Sequence, residues 1–325
     1  MTDAPLLTTD DLSVHFPIRG GLMGRPKGWV RAVDGVTLSV RAGETLALVG
    51  ESGCGKTTTG MAVMGMTRPT GGQVNFDGAP VFDAKGDVPR RVRREMQLVF
   101  QDPFSALNPR MPIGESIGEP LRLVPGMTAR DRRDRVAEVL ERVGLGATQA
   151  DRMPNEFSGG QRQRIVIARA IAPEPRLIVC DEPVSALDVS VRSQILNLLM
   201  DLQAEFGLTY LFISHDLSVV RHISDRVAVM YLGRIVEQAA TDALFDGPRH
   251  PYTEALMTAI PLPDPKAQRA RQRIILEGDL PSPSNPPTGC RFSTRCPLAE
   301  DRCAREDQQL STIGAAHALA CWKRA

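Results

Sequence analysis

One octapeptide constrains this chain more than any other feature. Gly50-Glu51-Ser52-Gly53-Cys54-Gly55-Lys56-Thr57 satisfies G-x-x-x-x-G-K-[ST] at every fixed position. Its glycines let successive backbone N–H groups turn inward and cradle phosphate oxygens. Such a loop works between a strand and a helix, because the helix N-terminus adds its positive dipole end. The flanking sequence supplies both. Thr45–Val49 is a short apolar run that fits a buried parallel strand, and Lys56–Met66 reads as a helix. Lys56 is then expected to reach the outer phosphates and the Thr57 hydroxyl to bind Mg²⁺. Cys54 is read as a tolerated small residue.

The rest of the chain extends this pattern. Leu177–Cys180, Thr209–Ile213 and Arg226–Met230 are further apolar strands, and Arg130–Val143, Ser158–Ile171 and Val191–Phe206 read as helices. Residues 4–16 and 29–40 read as strands joined by a basic, Gly-rich loop, Arg19–Gly28. Strands alternating with helices argue for an α/β domain with a largely parallel sheet. The alternation stops near residue 245. Beyond Pro248, prolines at 261, 263, 265, 281, 283, 286 and 287 punctuate a segment holding four of the six cysteines. The expected organisation is a nucleotide-binding domain over 1–245, with a helical part over about 102–170, and an appended extension over 246–325.

Two further sites stand out. The strand Leu177–Cys180 runs into Asp181 and Glu182. An acid at the carboxyl end of a parallel strand faces the ligand crevice, so Asp181 is placed to hold Mg²⁺ and Glu182 to act as general base. Cys180 reads as a buried small hydrophobe. Phe157-Ser158-Gly159-Gly160-Gln161 opens a predicted helix and makes a second anion site by the same backbone logic. A nucleotide needs one phosphate loop, so a second anion site suggests a nucleotide shared between two subunits.

Composition removes several alternatives. Lys plus Arg is 39 against 38 for Asp plus Glu, a net charge of +1, so no global field gathers nucleic acid. The basic runs Arg90–Arg94, Arg130–Arg135 and Lys266–Arg273 are interleaved with acids and lack aromatic partners, which reads as solvated helix faces. No apolar stretch approaches the roughly 18 residues of a membrane span. Met1–Asp11 carries acids and no basic residue, so no secretory signal is expected. Reduced thiols in a cytosolic chain then make metal binding or packing a better explanation of the cysteines than disulfides.

With these residues in order, the chain over about 8–240 resembles the ATP-binding cassette (ABC) family. The resemblance implies a P-loop NTPase core: a RecA-like subdomain, an antiparallel β subdomain and a helical subdomain carrying the signature Ser158-Gly159-Gly160-Gln161. It implies ATP contacts from Gly50 through Thr58 and, across a dimer interface, from Ser158, Gly159, Gly160 and Gln161 of the opposite subunit. Gln101, in Phe100-Gln101-Asp102-Pro103, is similar to the family's Q-loop glutamine, which touches Mg²⁺ and relays to membrane subunits. Asp188, in Ser185-Ala186-Leu187-Asp188, matches the interface D-loop. His215, in Ile213-Ser214-His215-Asp216, matches the switch histidine. The implied catalytic set is Glu182, His215, Gln101 and Lys56, with Thr57, Gln101 and Asp181 at Mg²⁺. The adenine-stacking aromatic is Phe16, with Trp29 as the alternative. Phe157 stands where Leu is commoner, and Cys180 replaces an aliphatic residue.

The tail narrows the group. His250-Pro251-Tyr252-Thr253, Pro281–Cys290 and Arg295-Cys296-Pro297 resemble the C-terminal extension of importer ATPases for oligopeptides, dipeptides and nickel, here of the F type. The implied partners are a D-type ATPase paralogue or a second copy, two polytopic permeases and, indirectly, an extracytoplasmic binding protein. The implied place is the cytoplasmic face of the membrane. Peptide is the expected cargo, with nickel, glutathione or another small solute as alternatives, and a non-transport ABC ATPase as the competing class. Cys290, Cys296, Cys303 and Cys321 lack the paired C-x₂-C of zinc ribbons, and relatives of this type carry a [4Fe–4S] cluster; zinc or free thiols remain open. A structural tail predicts that Cys296→Ser destabilises the extension and leaves nucleotide binding intact.

Overall fold

The computed structural model describes residues 4–20, 26–260, 266, 269, 274–314 and 317–325. Residues 21–25 of the expected loop, and most of the basic run Lys266–Arg273 with Pro261, Pro263 and Pro265, lie outside them. In chain order the strands are β1 (Pro5–Arg19), β2 (Pro26–Arg41), β3 (Thr45–Val49), β4 (Gly71–Phe76), β5 (Ala79–Pro80), β6 (Met96–Val99), β7 (Leu177–Asp181), β8 (Thr209–Ser214), β9 (Arg226–Tyr231), β10 (Arg234–Ala240), β11 (Ser311–Gly314) and β12 (His317–Leu319). The helices are α1 (Lys56–Val63), α2 (Arg90–Glu95), α3 (Pro103–Ala106), α4 (Ile113–Gly118), α5 (Ala129–Arg142), α6 (Gly159–Ile171), α7 (Val189–Phe206), α8 (Leu217–Ile223), α9 (Thr241–Asp246), α10 (Pro251–Thr258) and α11 (Asp301–Arg305). No described helix is long and apolar enough to cross a membrane.

The chain forms two compact units. The first gathers residues 1–7, 40–45 and 75–213. Its strands β6, β7 and β8 are parallel, in register from Met96↔Leu177 to Val99↔Cys180 and from Leu177↔Thr209 to Asp181↔Ile213. All of β7 and β8 is buried, which is why both read as unbroken apolar runs. Between β6 and β7 the described chain is helical. The capping box Thr128/Asp131 starts α5, and Ser158/Gln161 starts α6. Gly207, in the left-handed region, ends α7. The run Arg90–Arg94 forms α2, where Arg91 pairs with Asp77 and Glu95, and Arg94 also pairs with Glu95.

The second unit gathers residues 8–39, 46–74 and 214–325. Here β3 pairs parallel with β9, from Leu46↔Arg226 to Val49↔Val229, while β9–β10, β10–β12 and β12–β11 are antiparallel. A separate sheet places β1 between β2 and β4. The extension expected over 246–325 shares the core of this unit: Tyr252, Met257 and Phe292 pack with Ala47, Val49, Val229 and Leu244. The reason is edge pairing. Strand β10 would expose one row of backbone groups, and β12 from the far end of the chain covers it. Buried Glu237 on β10 reinforces the joint by accepting from the N–H groups of Arg249 and His250 and from His317 Nε2 (2.7, 2.9 and 2.8 Å).

Candidate nucleotide and magnesium site

In the second unit the octapeptide is a loop closing onto α1. Gly53 and Gly55 adopt φ of 79° and 112°. At Gly55 no other residue fits: a Cβ would sit 2.1 Å from the Ala32 carbonyl oxygen. At Gly50 it would sit 2.1 Å from the Met230 carbonyl oxygen. Lys56 is 5% exposed, and its Nζ donates to the carbonyls of Gly50 and Glu51 at 2.8 and 3.0 Å. The ammonium therefore lies folded across its own loop. Thr57 is exposed at the loop mouth, and Thr58 lies half-buried behind it. Cys54 is buried, and burial pushes its thiol pKa up despite the nearby Lys56 charge, so it is an inert packing residue. His215 is exposed at the start of the segment where Asp216 caps α8, accepting from Ser218 and Val219 N–H. Phe16 and Trp29, the two candidate stacking aromatics, are 44% and 47% exposed.

In the first unit, Asp181 is buried at the carboxyl end of β7. Glu182 follows with φ 48°, a left-handed conformation that costs a non-glycine residue about 1–3 kcal/mol. Its N–H donates to the Ile213 carbonyl at 2.9 Å, which holds the strained turn. The structure also joins two residues that are 81 apart in sequence: Gln101 Nε2 donates to Glu182 Oε2 at 2.9 Å. Ser158 is exposed at the N-cap of α6, where its Oγ accepts from Gln161 N–H and Gln161 Oε1 accepts from Ser158 N–H. A Cβ at Gly160 would meet Val191 Cγ1 at 2.5 Å, so any larger residue there requires the valine side chain to move. Gly159 carries no such restriction. Asp188 is exposed just before α7 and makes no side-chain cap, while Ser185 Oγ donates to the Glu182 carbonyl at 3.1 Å. Cys180 is fully buried and its pKa strongly raised by that burial.

The extension makes contacts to the octapeptide that sequence reasoning missed. Tyr252 Oη accepts from the Glu51 N–H at 2.8 Å, and Arg295 pairs with the Glu51 carboxylate through Nη1 at 2.8 Å and Nη2 at 3.2 Å. The expected division between a structural tail and the nucleotide loop does not hold at the level of contacts. Cys290, Cys296, Cys303 and Cys321 are free thiols lining one small pocket with His250, Phe292 and Trp322. Burial pushes the Cys290 pKa up to about 11 and raises Cys296 and Cys321 as well. As they stand, no group of three or more His, Cys, Asp or Glu among the described residues is arranged to hold a metal ion.

Known proteins place these features in a family. The model described as "ABC transporter" matches residues 33–185, and "Oligopeptide/dipeptide transporter, C-terminal region" matches residues 236–303. The oligopeptide transport ATP-binding protein AppF of Bacillus subtilis is 51% identical over 97% of this chain and 96% of its own length. Its counterpart OppF of Salmonella typhimurium is 52% identical over 98% and 96%. The chain belongs to the ABC transporter ATP-binding family. Among solved structures, cbiO1 from Clostridium perfringens, part of the cbiONQ transporter complex, superposes with TM-score 0.63 at 27% identity, covering 75% of this chain and 92% of that one. The ATP-binding cassette MJ0796, a dimer bound to ADP and Pi, superposes with TM-score 0.62 at 28% identity over 72% and 98%. The ABC ATPase therefore has the P-loop ABC fold, and its chemistry is ATP hydrolysis.

Proposed function

We propose that this ABC ATPase powers import of di- or oligopeptides from the cytoplasmic face of the membrane, peripheral to two polytopic permease subunits. The observation that carries this reading is the phosphate loop Gly50–Thr57 closed around buried Lys56, on a chain with the extension of peptide-importer relatives. Two such subunits, this chain with a D-type paralogue or with itself, would sandwich two ATP molecules. Lys56 and the loop N–H groups take the phosphates. The signature Ser158-Gly159-Gly160-Gln161 serves the opposite subunit's nucleotide, with Asp188 at the interface. Glu182 takes the proton of the attacking water, Gln101 holds its carboxylate in place, and His215 contacts the outer phosphate. Thr57, Asp181 and Gln101 offer hard oxygen donors suited to Mg²⁺, which neutralises phosphate charge when bound. Phe16 or Trp29 stacks the adenine.

Glu182→Gln is expected to bind ATP, stop turnover and accumulate a closed dimer on size exclusion; turnover at the unmodified rate would remove Glu182 as the base. In reconstituted transporter, peptide-stimulated ATPase activity supports the cargo, and stimulation by nickel or glutathione alone would replace it.

The four tail thiols are assigned to a [4Fe–4S] cluster, on the ground that all four line a single pocket. Anaerobic purification should give about four iron and four sulfide per chain. Stoichiometric zinc without sulfide, or four titratable thiols with neither metal, overturns the assignment.

A further inference from the structure

The loop Gly50–Thr57 is tied to the C-terminal extension through Glu51. Glu51, the second residue of the loop, donates its N–H to Tyr252 Oη, while its carboxylate receives both terminal nitrogens of Arg295. The Arg295 side chain is 10% exposed and that of Glu51 29%, so the pair is partly shielded from water. Both holding residues are themselves fixed. Tyr252 is fully buried, with its ring 4.7 Å from Tyr231 and 5.5 Å from Phe292, and Tyr231 is 5.2 Å from Phe292. The Arg295 N–H donates to the Phe292 carbonyl at 3.0 Å, which ties Arg295 to the same aromatic cluster. Cys290 and Cys296 pack on that core too.

We propose that Arg295 and Tyr252 are positioning residues for ATP: acting through Glu51, they keep the phosphate loop in its binding shape and make nucleotide affinity depend on the folded tail. This rests on the reading that the loop binds ATP phosphates. A cradle of backbone N–H groups binds well only when pre-formed, because ordering it at the moment of binding costs affinity. The loop itself is rich in glycine and cannot enforce its own shape. A bidentate charge-assisted pair and a hydroxyl on a rigid aromatic cluster supply that shape from outside.

The test uses the full chain and reads the Kd of Mg·ATP together with KM and kcat. Glu51→Gln keeps the size of the side chain and removes the charge; Arg295→Met and Tyr252→Phe remove the partners. Arg295→Met and Glu51→Gln should each raise Kd and KM about tenfold or more, with kcat nearly unchanged. Arg295→Lys should recover part of the loss. The double variant Glu51→Gln/Arg295→Met should be no weaker than the worse single one. An unchanged Kd in Glu51→Gln, or losses that multiply in the double variant, overturns the proposal, and Glu51→Gln decides it even where Arg295→Met fails to fold. Lys56→Ala separates the two readings. If Lys56→Ala binds ATP normally, the loop is not the nucleotide site, whatever Arg295 does.

Discussion

At the residue scale, positions with unusual backbone or burial carry the sharpest consequences. Gly55 combines φ 112° with the Ala32 carbonyl 2.1 Å from any added Cβ. Gly55→Ala should therefore melt lower and lose ATP binding together, and a variant that melts and binds normally would refute the close approach. His250 gives a pH prediction. It is buried, its Nδ1 accepts from Tyr252 N–H, and burial lowers its pKa from 6.5 to about 3. The unfolded chain binds this proton more readily, so stability contributed by neutral His250 is complete above pH 6.5 and is lost as pH falls toward 3. Denaturant midpoints at pH 5 and 7 should differ, and His250→Asn, which keeps a short acceptor without the titration, should flatten that slope. A slope unchanged in the variant would assign it to other groups.

At the element scale, caps and edges do the holding. Ser158 is both the N-cap of α6 and the first signature residue. Ser158→Ala should cost about 1 kcal/mol of stability through the cap while turnover falls much further, read by denaturation and ATPase assay on the same sample. Equal modest losses in both would reduce Ser158 to a cap. Glu237 is buried on β10 and receives two backbone N–H groups and His317. Glu237→Ala leaves buried donors unpaired, at about 2–5 kcal/mol, and should first release the tail, seen as early proteolysis beyond residue 246. These elements were unevenly legible. Strands β3, β7, β8 and β9 are apolar runs because both faces are covered. Strands β4, β6 and β10 were missed, because Gly71–Phe76, Met96–Val99 and Arg234–Ala240 interleave Gly, Gln, Arg or Glu with apolar residues. β11 and β12 are too short to carry a pattern. Helix α1 ends at Val63 rather than Met66, and β2 begins at Pro26, inside the expected loop.

At the scale of the whole molecule, the extension is part of the second unit's core, and this changes what its cysteines report. Cys296 follows Arg295, which grips Glu51. Cys296→Ser is thus expected to weaken ATP binding as well as loosen the tail, in contrast to a purely structural extension. Equilibrium ATP binding beside iron and sulfide content checks it, and full ATP affinity in a cluster-free variant would restore the simpler division. The eight residues Gly50–Thr57 could be read from sequence alone, because a phosphate cradle is built from consecutive backbone N–H groups and its chemistry is local. The same holds for the buried strand that ends in Asp181 and Glu182. Which side chains meet across the chain is not local. Gln101 reaches Glu182 over 81 positions and Arg295 reaches Glu51 over 244. Such pairs leave no periodic trace in sequence, because they are selected by packing and desolvation after the elements have formed. Only the tertiary structure decided that the loop meets a tyrosine of an aromatic cluster and an arginine from the far end of the chain.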